Sequence, residues 1–135
     1  MTAILVAERD PQVCIVVSEI LKYDLLARVV CVDTGTLAVQ AIGTASFDLA
    51  IIDVNMPDIS GYELARHAAN RNIPTLLSTG HPDADAELAG SECPHISKPF
   101  RTAELVSQAA IAITQAAENI RRVKAFLATI QATAK

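Results

Sequence analysis

The strongest constraint on this chain is an alternation: short apolar runs, each stopping at a polar residue, separated by segments of helical period. Residues 4–7 (Ile-Leu-Val-Ala), 27–32, 49–52, 73–78 and 94–97 read as five strands, the last of them weak. Continuous apolar runs this short suit strands buried on both faces. Asp10-Pro11 reads as an N-cap followed by proline at the first helical position, opening a helix through Val13, Ile15, Val16, Ile20 and Leu21. Thr34 caps a second helix that ends near Gly43, and Tyr62 opens a third after the turn-rich stretch Pro57-Asp58-Ile59-Ser60-Gly61. Pro82 and Asp83 open a fourth, closed by Gly90, and a fifth starts around Thr102. Strands that alternate with helices in this way imply right-handed crossovers and a parallel sheet covered on both faces.

Five strands and five helices in this order fit the flavodoxin-like, doubly wound α/β plan with strand order 2-1-3-4-5. At 135 residues the chain is long enough for one domain with a substantial core. Half of its residues are hydrophobic (51%), yet no apolar run approaches the length of a membrane span. The start, Met1-Thr2-Ala3, lacks the basic and apolar regions of a signal peptide. A net charge of −4 argues against non-specific nucleic-acid binding. Cys14, Cys31 and Cys93 are odd in number and widely spaced, which argues against a disulfide framework and for reduced thiols. Cys93 and His95 lie close together with His81 nearby, but no second ligand pair at zinc spacing completes a site. The expectation is a cytoplasmic protein with no membrane or nucleic-acid partner.

The last helix is too long for the plan. Ile113, Ala116, Ile120, Val123, Leu127 and Ile130 recur at alternating steps of three and four, an a/d seam. A helix from Thr102 to about residue 132 would be roughly 45 Å long at 1.5 Å per residue. The expected division is therefore a domain over 1–116 and a helical extension over 117–135. An apolar stripe left in water is a liability, so the seam predicts self-association as a homodimer or capture of a partner helix. The competing arrangement is a helix that folds back or frays.

Asp53, Thr79 and Lys98 each follow a strand, the third, fourth and fifth. In a parallel sheet they converge on one edge, bringing together an acceptor carboxylate, a hydroxyl donor and a cation suited to a phosphoryl group. The segments ILVAERDP, DLAIIDVNMPDISGYEL, IPTLLSTG and SKPF resemble the CheY-like receiver domain of two-component response regulators, over about residues 3–116. The resemblance implies that Asp53 accepts a phosphoryl group from a histidine kinase, a phosphotransfer protein or a small phosphodonor. It makes Thr79 the switch hydroxyl, Lys98 the cation that pairs with the phosphoryl group, and Pro99 the site of a cis bond. Glu8, Asp53 and the Asn55 carbonyl would be the magnesium ligands.

Two positions depart from the family pattern. His95 stands where a large aromatic switch residue is usual, and Arg9 stands in place of the second acid, the usual direct metal ligand. Glu8, Arg9, Asp53 and Lys98 sum to zero charge without any metal. Arg9 has three arrangements open to it. It can point to solvent, leaving Asp10 to help Glu8 hold a weak metal. It can replace the metal. Or it can pair with Asp53 in a bidentate contact and lock the pocket, the arrangement the charge count favours. The resulting expectation is a stand-alone, non-enzymatic receiver that acts in a phosphorelay through protein contacts, with weak or absent magnesium binding. The alternative is a pseudo-receiver or adaptor that signals without phosphate. A flavodoxin-like flavin protein is disfavoured because Glu8-Arg9-Asp10 cannot cradle a phosphate. A phosphatase of the haloacid dehalogenase type is disfavoured because Asn55 stands where a second aspartate is required.

Overall fold

The computed structural model describes residues 1–133, with side chains described through residue 130. Eleven elements follow one another among the described residues, strand and helix alternating up to the last pair: β1 (Ala3–Ala7), α1 (Pro11–Asp24), β2 (Arg28–Val32), α2 (Gly35–Thr44), β3 (Leu49–Asp53), α3 (Gly61–Asn70), β4 (Thr75–Thr79), α4 (Pro82–Ala89), β5 (His95–Ser97), α5 (Thr102–Thr114) and α6 (Ala116–Thr133). The strands form one parallel sheet in the order β2-β1-β3-β4-β5, the doubly wound plan expected from the alternation. β1, β3 and β4 are buried along their whole length, whereas the edge strand β2 is only partly covered. That difference explains why the central strands carry unbroken apolar runs.

Side-chain alternation sends the sheet's residues to two cores. Ile4, Val6, Leu49, Ile51, Leu76 and Ile96 pack against α1 and α5 on one face. Leu5, Ala7, Ala50, Ile52 and Leu77 pack against α2, α3 and α6 on the other, where Leu88 of α4 joins them. The helix starts follow their capping residues. The Asp10 carboxylate accepts from the Gln12 amide at 2.9 Å with Pro11 behind it, and Thr34 accepts from the Leu37 amide at 3.2 Å. At Gly61 the chain passes so close to β3 that an added Cβ would lie 2.3 Å from the Asp53 carbonyl oxygen. Only glycine permits that approach, which seats the start of α3 directly beside the end of β3.

The expected single last helix is corrected: there are six helices among the described residues, because the helix breaks at Gln115, with φ −110° and ψ 48°. α6 turns onto the sheet face that carries α3. There Asn119 is buried, its side chain accepting from the Thr75 amide at 2.8 Å and donating to the Thr75 carbonyl at 2.9 Å. Val123, Phe126 and Leu127 enter the core, and the Phe126 ring meets Tyr62 edge-on with centroids 5.6 Å apart.

The expected docking seam is therefore spent inside the domain. Ile113 packs with the α1/α5 core, Val123, Leu127 and Ile130 pack with the opposite core, and Ile120 is half-buried. The buried stripe of α6 runs through 119, 123, 126, 127 and 130, rotated from the seam that was counted through the break at 115. A homodimer through this stripe would first have to unpack the domain. Residues 134–135 of the expected 117–135 extension lie outside the described residues. The cysteine expectation is corrected as well: Cys14 of α1 and Cys31 of β2 are joined as a disulfide, and Cys93 is free and buried.

Candidate functional site

Register brings the site together. Asp53 is paired with Ser78, and Thr79 with Ser97, so the ends of β3, β4 and β5 lie side by side with Lys98 one residue beyond. The Lys98 amide donates to the Thr79 carbonyl at 2.7 Å, and the Lys98–Pro99 peptide bond is cis. From this position the Lys98 ammonium donates to Asp53 Oδ2 at 3.1 Å and to Glu8 Oε1 in a closer contact. Glu8 and Asp53 are each only 4% exposed, and Thr79 is fully buried.

Each carboxylate is also held by a backbone amide. The Asn55 amide donates to Asp53 Oδ1 at 2.9 Å, and the Asp10 amide donates to Glu8 Oε2 at 3.0 Å. Every acceptor oxygen in the pair thus has a donor, the condition under which buried charge is tolerated. Burial raises the Glu8 pKa above its ordinary value, with the neighbouring Asp53 charge adding to the rise, while the Asp10 amide and Lys98 oppose it. Burial alone would lower the Lys98 pKa, but the two carboxylates outweigh it and hold the ammonium charged. The Thr79 hydroxyl stays within its own loop, accepting from the His81 amide at 3.1 Å.

The remaining sequence candidates sit further out. Asp10 is exposed and serves as the cap of α1. His95 is half-buried, and its Nδ1 donates to the Cys93 carbonyl at 2.8 Å. Arg9 is exposed and lines an open cavity of about 810 Å³ with Asn55, Asp58, His81 and Glu87. The favoured contact between Arg9 and Asp53 is not formed, because Lys98 already sits between the two carboxylates. Without Arg9 the buried set of Glu8, Asp53 and Lys98 carries a net charge of −1, in place of the zero expected.

Three supporting residues escaped the sequence reading. Asp58 accepts from the Gly35 amide at 2.6 Å, the Thr36 amide at 2.9 Å and the Thr36 hydroxyl at 2.7 Å. This ties the loop after Asp53 to the start of α2, and the Thr36 hydroxyl, followed by those amides, holds the Asp58 pKa down at about 2. Its only sequence signal was membership of a turn-rich stretch. Tyr62 donates to Glu87 at 2.9 Å, joining α3 to α4, and Ser97 donates to Asp85. Both link elements far apart in the chain and left no local pattern.

Magnesium requires several oxygen donors around one point. Glu8, Asp53 and the Asn55 carbonyl are the donors available, but one ammonium bridges both carboxylates and an arginine follows Glu8. Among the described residues no group of three His, Cys, Asp or Glu side chains is arranged to hold a metal. The pocket thus offers two carboxylates and one carbonyl around this point, with the Lys98 ammonium between the carboxylates.

The family model for the response regulator receiver domain matches residues 4–110. Among curated relatives, the probable transcriptional regulatory protein SilR of Salmonella typhimurium is 31% identical over 81 residues, covering 56% of this chain and 36% of that protein. The response regulator protein TmoT of Ectopseudomonas mendocina is 27% identical over 116 residues, covering 80% of this chain and 53% of that one. The chain thus spans between a third and about half of the length of these relatives. A CheY-like receiver domain protein from Methanospirillum hungatei JF-1 superposes with TM-score 0.76 at 20% identity, covering 87% of this chain and 98% of that one. The receiver domain of the sensor histidine kinase PA1611 from Pseudomonas aeruginosa PAO1 superposes with TM-score 0.73 at 27% identity, over 84% and 98% of the two chains. That structure holds a magnesium ion in its active-site cleft. With the family model covering most of the chain and the doubly wound sheet carrying Asp53, Thr79 and Lys98 on one edge, this protein belongs to the response regulator receiver domain family.

Proposed function

We propose that this receiver accepts a phosphoryl group on Asp53 with little help from magnesium, and passes the signal on by contact with a downstream protein. The observation that carries the reading is the position of Lys98, 3.1 Å from Asp53 and also engaged by Glu8. A buried carboxylate with a cation beside it is a nucleophile whose product charge is already provided for. An Asp53 oxygen attacks the phosphorus of a phosphohistidine on a kinase or phosphotransfer protein. The O–P bond forms, the N–P bond breaks and the imidazole departs. The added negative charge draws Lys98 from Glu8 toward the phosphoryl oxygens, and the Thr79 hydroxyl exchanges the His81 amide for the same group.

The donor set supports the magnesium-poor part of the reading, since Arg9 stands where a second acid would complete the ligands. A protein output is supported by the net charge of −4, and no helix among the described residues is long and apolar enough to cross a membrane. Labelling with acetyl phosphate tests this, comparing the natural sequence, Asp53→Ala and Arg9→Asp, each with and without magnesium. The natural sequence should label slowly and at nearly the same rate in both conditions. Asp53→Ala should not label, and Arg9→Asp should gain magnesium dependence. Strong magnesium stimulation of the natural sequence would overturn the reading. Absence of any label would leave the pseudo-receiver, in which the Lys98–Asp53 pair is permanent.

A further inference from the structure

Outside the acid pocket, the cluster with the most chemistry is the sulfur pair that joins α1 to β2. Cys14 lies in the second turn of α1 and is buried, whereas Cys31 lies on the edge strand and is exposed. Both line an open groove of about 470 Å³ between α1 and β2, with Ile15, Ser18, Lys22 and Leu37 among its walls. The Ser18 hydroxyl lies 2.7 Å from Cys31 Sγ, and the two Cα atoms are 6.2 Å apart, within the ordinary span of a disulfide. Cys93 provides the contrast. It is 2% exposed, burial pushes its thiol up to about 12, and the pair does not include it.

We infer that Cys14 and Cys31 form a reversible two-electron redox site, oxidised by a small hydroperoxide and reduced by a thiol that enters the α1/β2 groove. Asymmetric exposure assigns the roles. The exposed Cys31 thiolate attacks one oxygen of hydrogen peroxide, forming an S–O bond and breaking the O–O bond. The hydroxide released takes a proton and leaves as water, with Cys31 now a sulfenic acid. The Cys14 thiolate then attacks that sulfur, the S–S bond forms, the S–O bond breaks, and the second hydroxide leaves as water. Two thiols are oxidised to one disulfide and one peroxide is reduced to two waters. Reduction reverses the sulfur change, with two thiols of a reductant giving up two electrons and becoming a disulfide themselves.

Three features favour a working site over a structural staple. Buried staples are shielded from attack, whereas this pair opens on a groove at the sheet edge. The Ser18 hydroxyl is in place to donate to a Cys31 thiolate when the bond opens. The third cysteine is withdrawn into the core, so that exchange with a wrong partner is suppressed.

The test uses the full chain under native conditions. Reduced with dithiothreitol, desalted and treated with stoichiometric hydrogen peroxide, the protein should lose two hydrogens in intact mass and become resistant to alkylation at positions 14 and 31. Fresh dithiothreitol should restore both thiols without denaturant. Cys93→Ser should behave identically, Cys31→Ser should show no mass loss, and Cys14→Ser should stop at a sulfenic acid on Cys31 that dimedone traps. The inference is overturned if the oxidised protein resists dithiothreitol until it is unfolded, if peroxide leaves both thiols free, or if it joins either one to Cys93.

Discussion

β4 ends in a threonine at each edge of the sheet, and the two edges are completed in opposite ways. At the carboxyl edge, near Thr79, two buried carboxylates share one ammonium. At the amino edge, Asn119 closes both backbone groups of Thr75 with a neutral amide. The neutral closure has each donor matched to an acceptor and nothing to gain from rearranging. The charged closure is one positive charge short, so it is the edge where an added or removed charge changes the arrangement.

The largest expected effect comes from destroying the neutral edge. Truncation after Gln115 removes Val123, Phe126 and Leu127 from the core along with Asn119. At about 1.5–3 kcal/mol for each large side chain, the loss is comparable to the whole stability of a small domain. The truncated chain should aggregate and show no cooperative thermal transition by circular dichroism. A native-like melt from a monodisperse truncation would show that α6 is dispensable. A gentler probe, Asn119→Ala, leaves the buried Thr75 amide and carbonyl without partners. It should cost about 2–4 kcal/mol, lowering the melting temperature by roughly 10 °C, while labelling of Asp53 at low temperature is unchanged.

At the charged edge the handle is pH. The Glu8 pKa is raised from its ordinary 4.5 on folding, so the folded protein holds that proton more tightly than the unfolded chain. Its stabilising contribution is complete below pH 4.5 and is lost as pH rises through the shifted value. Lys98 is raised from 10.5, so its contribution is complete below that pH and is lost only as pH rises through its own shifted value. Glu8→Gln removes the first of these losses. The variant's urea midpoint should therefore fall less between about pH 4 and about pH 8 than that of the natural sequence. An equal fall in both proteins would mean that Glu8 titrates as an ordinary surface acid. The smallest effect belongs to Arg9→Ala. The side chain is exposed and makes no ion pair among the described residues, so the melt should shift by no more than about 0.5 kcal/mol in stability. A larger loss would place the guanidinium in the acid pocket after all.

Much of this was legible in the chain. Asp53, Thr79 and Lys98 each ended an apolar run, and a parallel sheet leaves strand ends nowhere to go but one edge. The start signals at Asp10-Pro11 and Thr34 and the stop signal at Gly90 placed helix ends within a residue or two because capping is local chemistry. Asn119 was invisible because a polar residue on a helix signals burial only once its partner, 44 positions away, is known. The docking seam was misread for a related reason: the spacing of Ile113, Val123 and Leu127 is compatible with one long helix, and only the break at Gln115 divides them between two cores.

The sequence by itself determined the alternation, the sheet it implies and the convergence of the carboxylate, the hydroxyl and the lysine. These follow from patterns repeated over a few residues and from the single edge a parallel sheet offers. Tertiary structure decided the direction of Arg9, the fold-back of α6, the Asp58 tie and the meeting of Cys14 with Cys31. Each depends on which distant group reaches a position first. Lys98 occupied the space between the carboxylates, and Arg9 was left at the cavity wall.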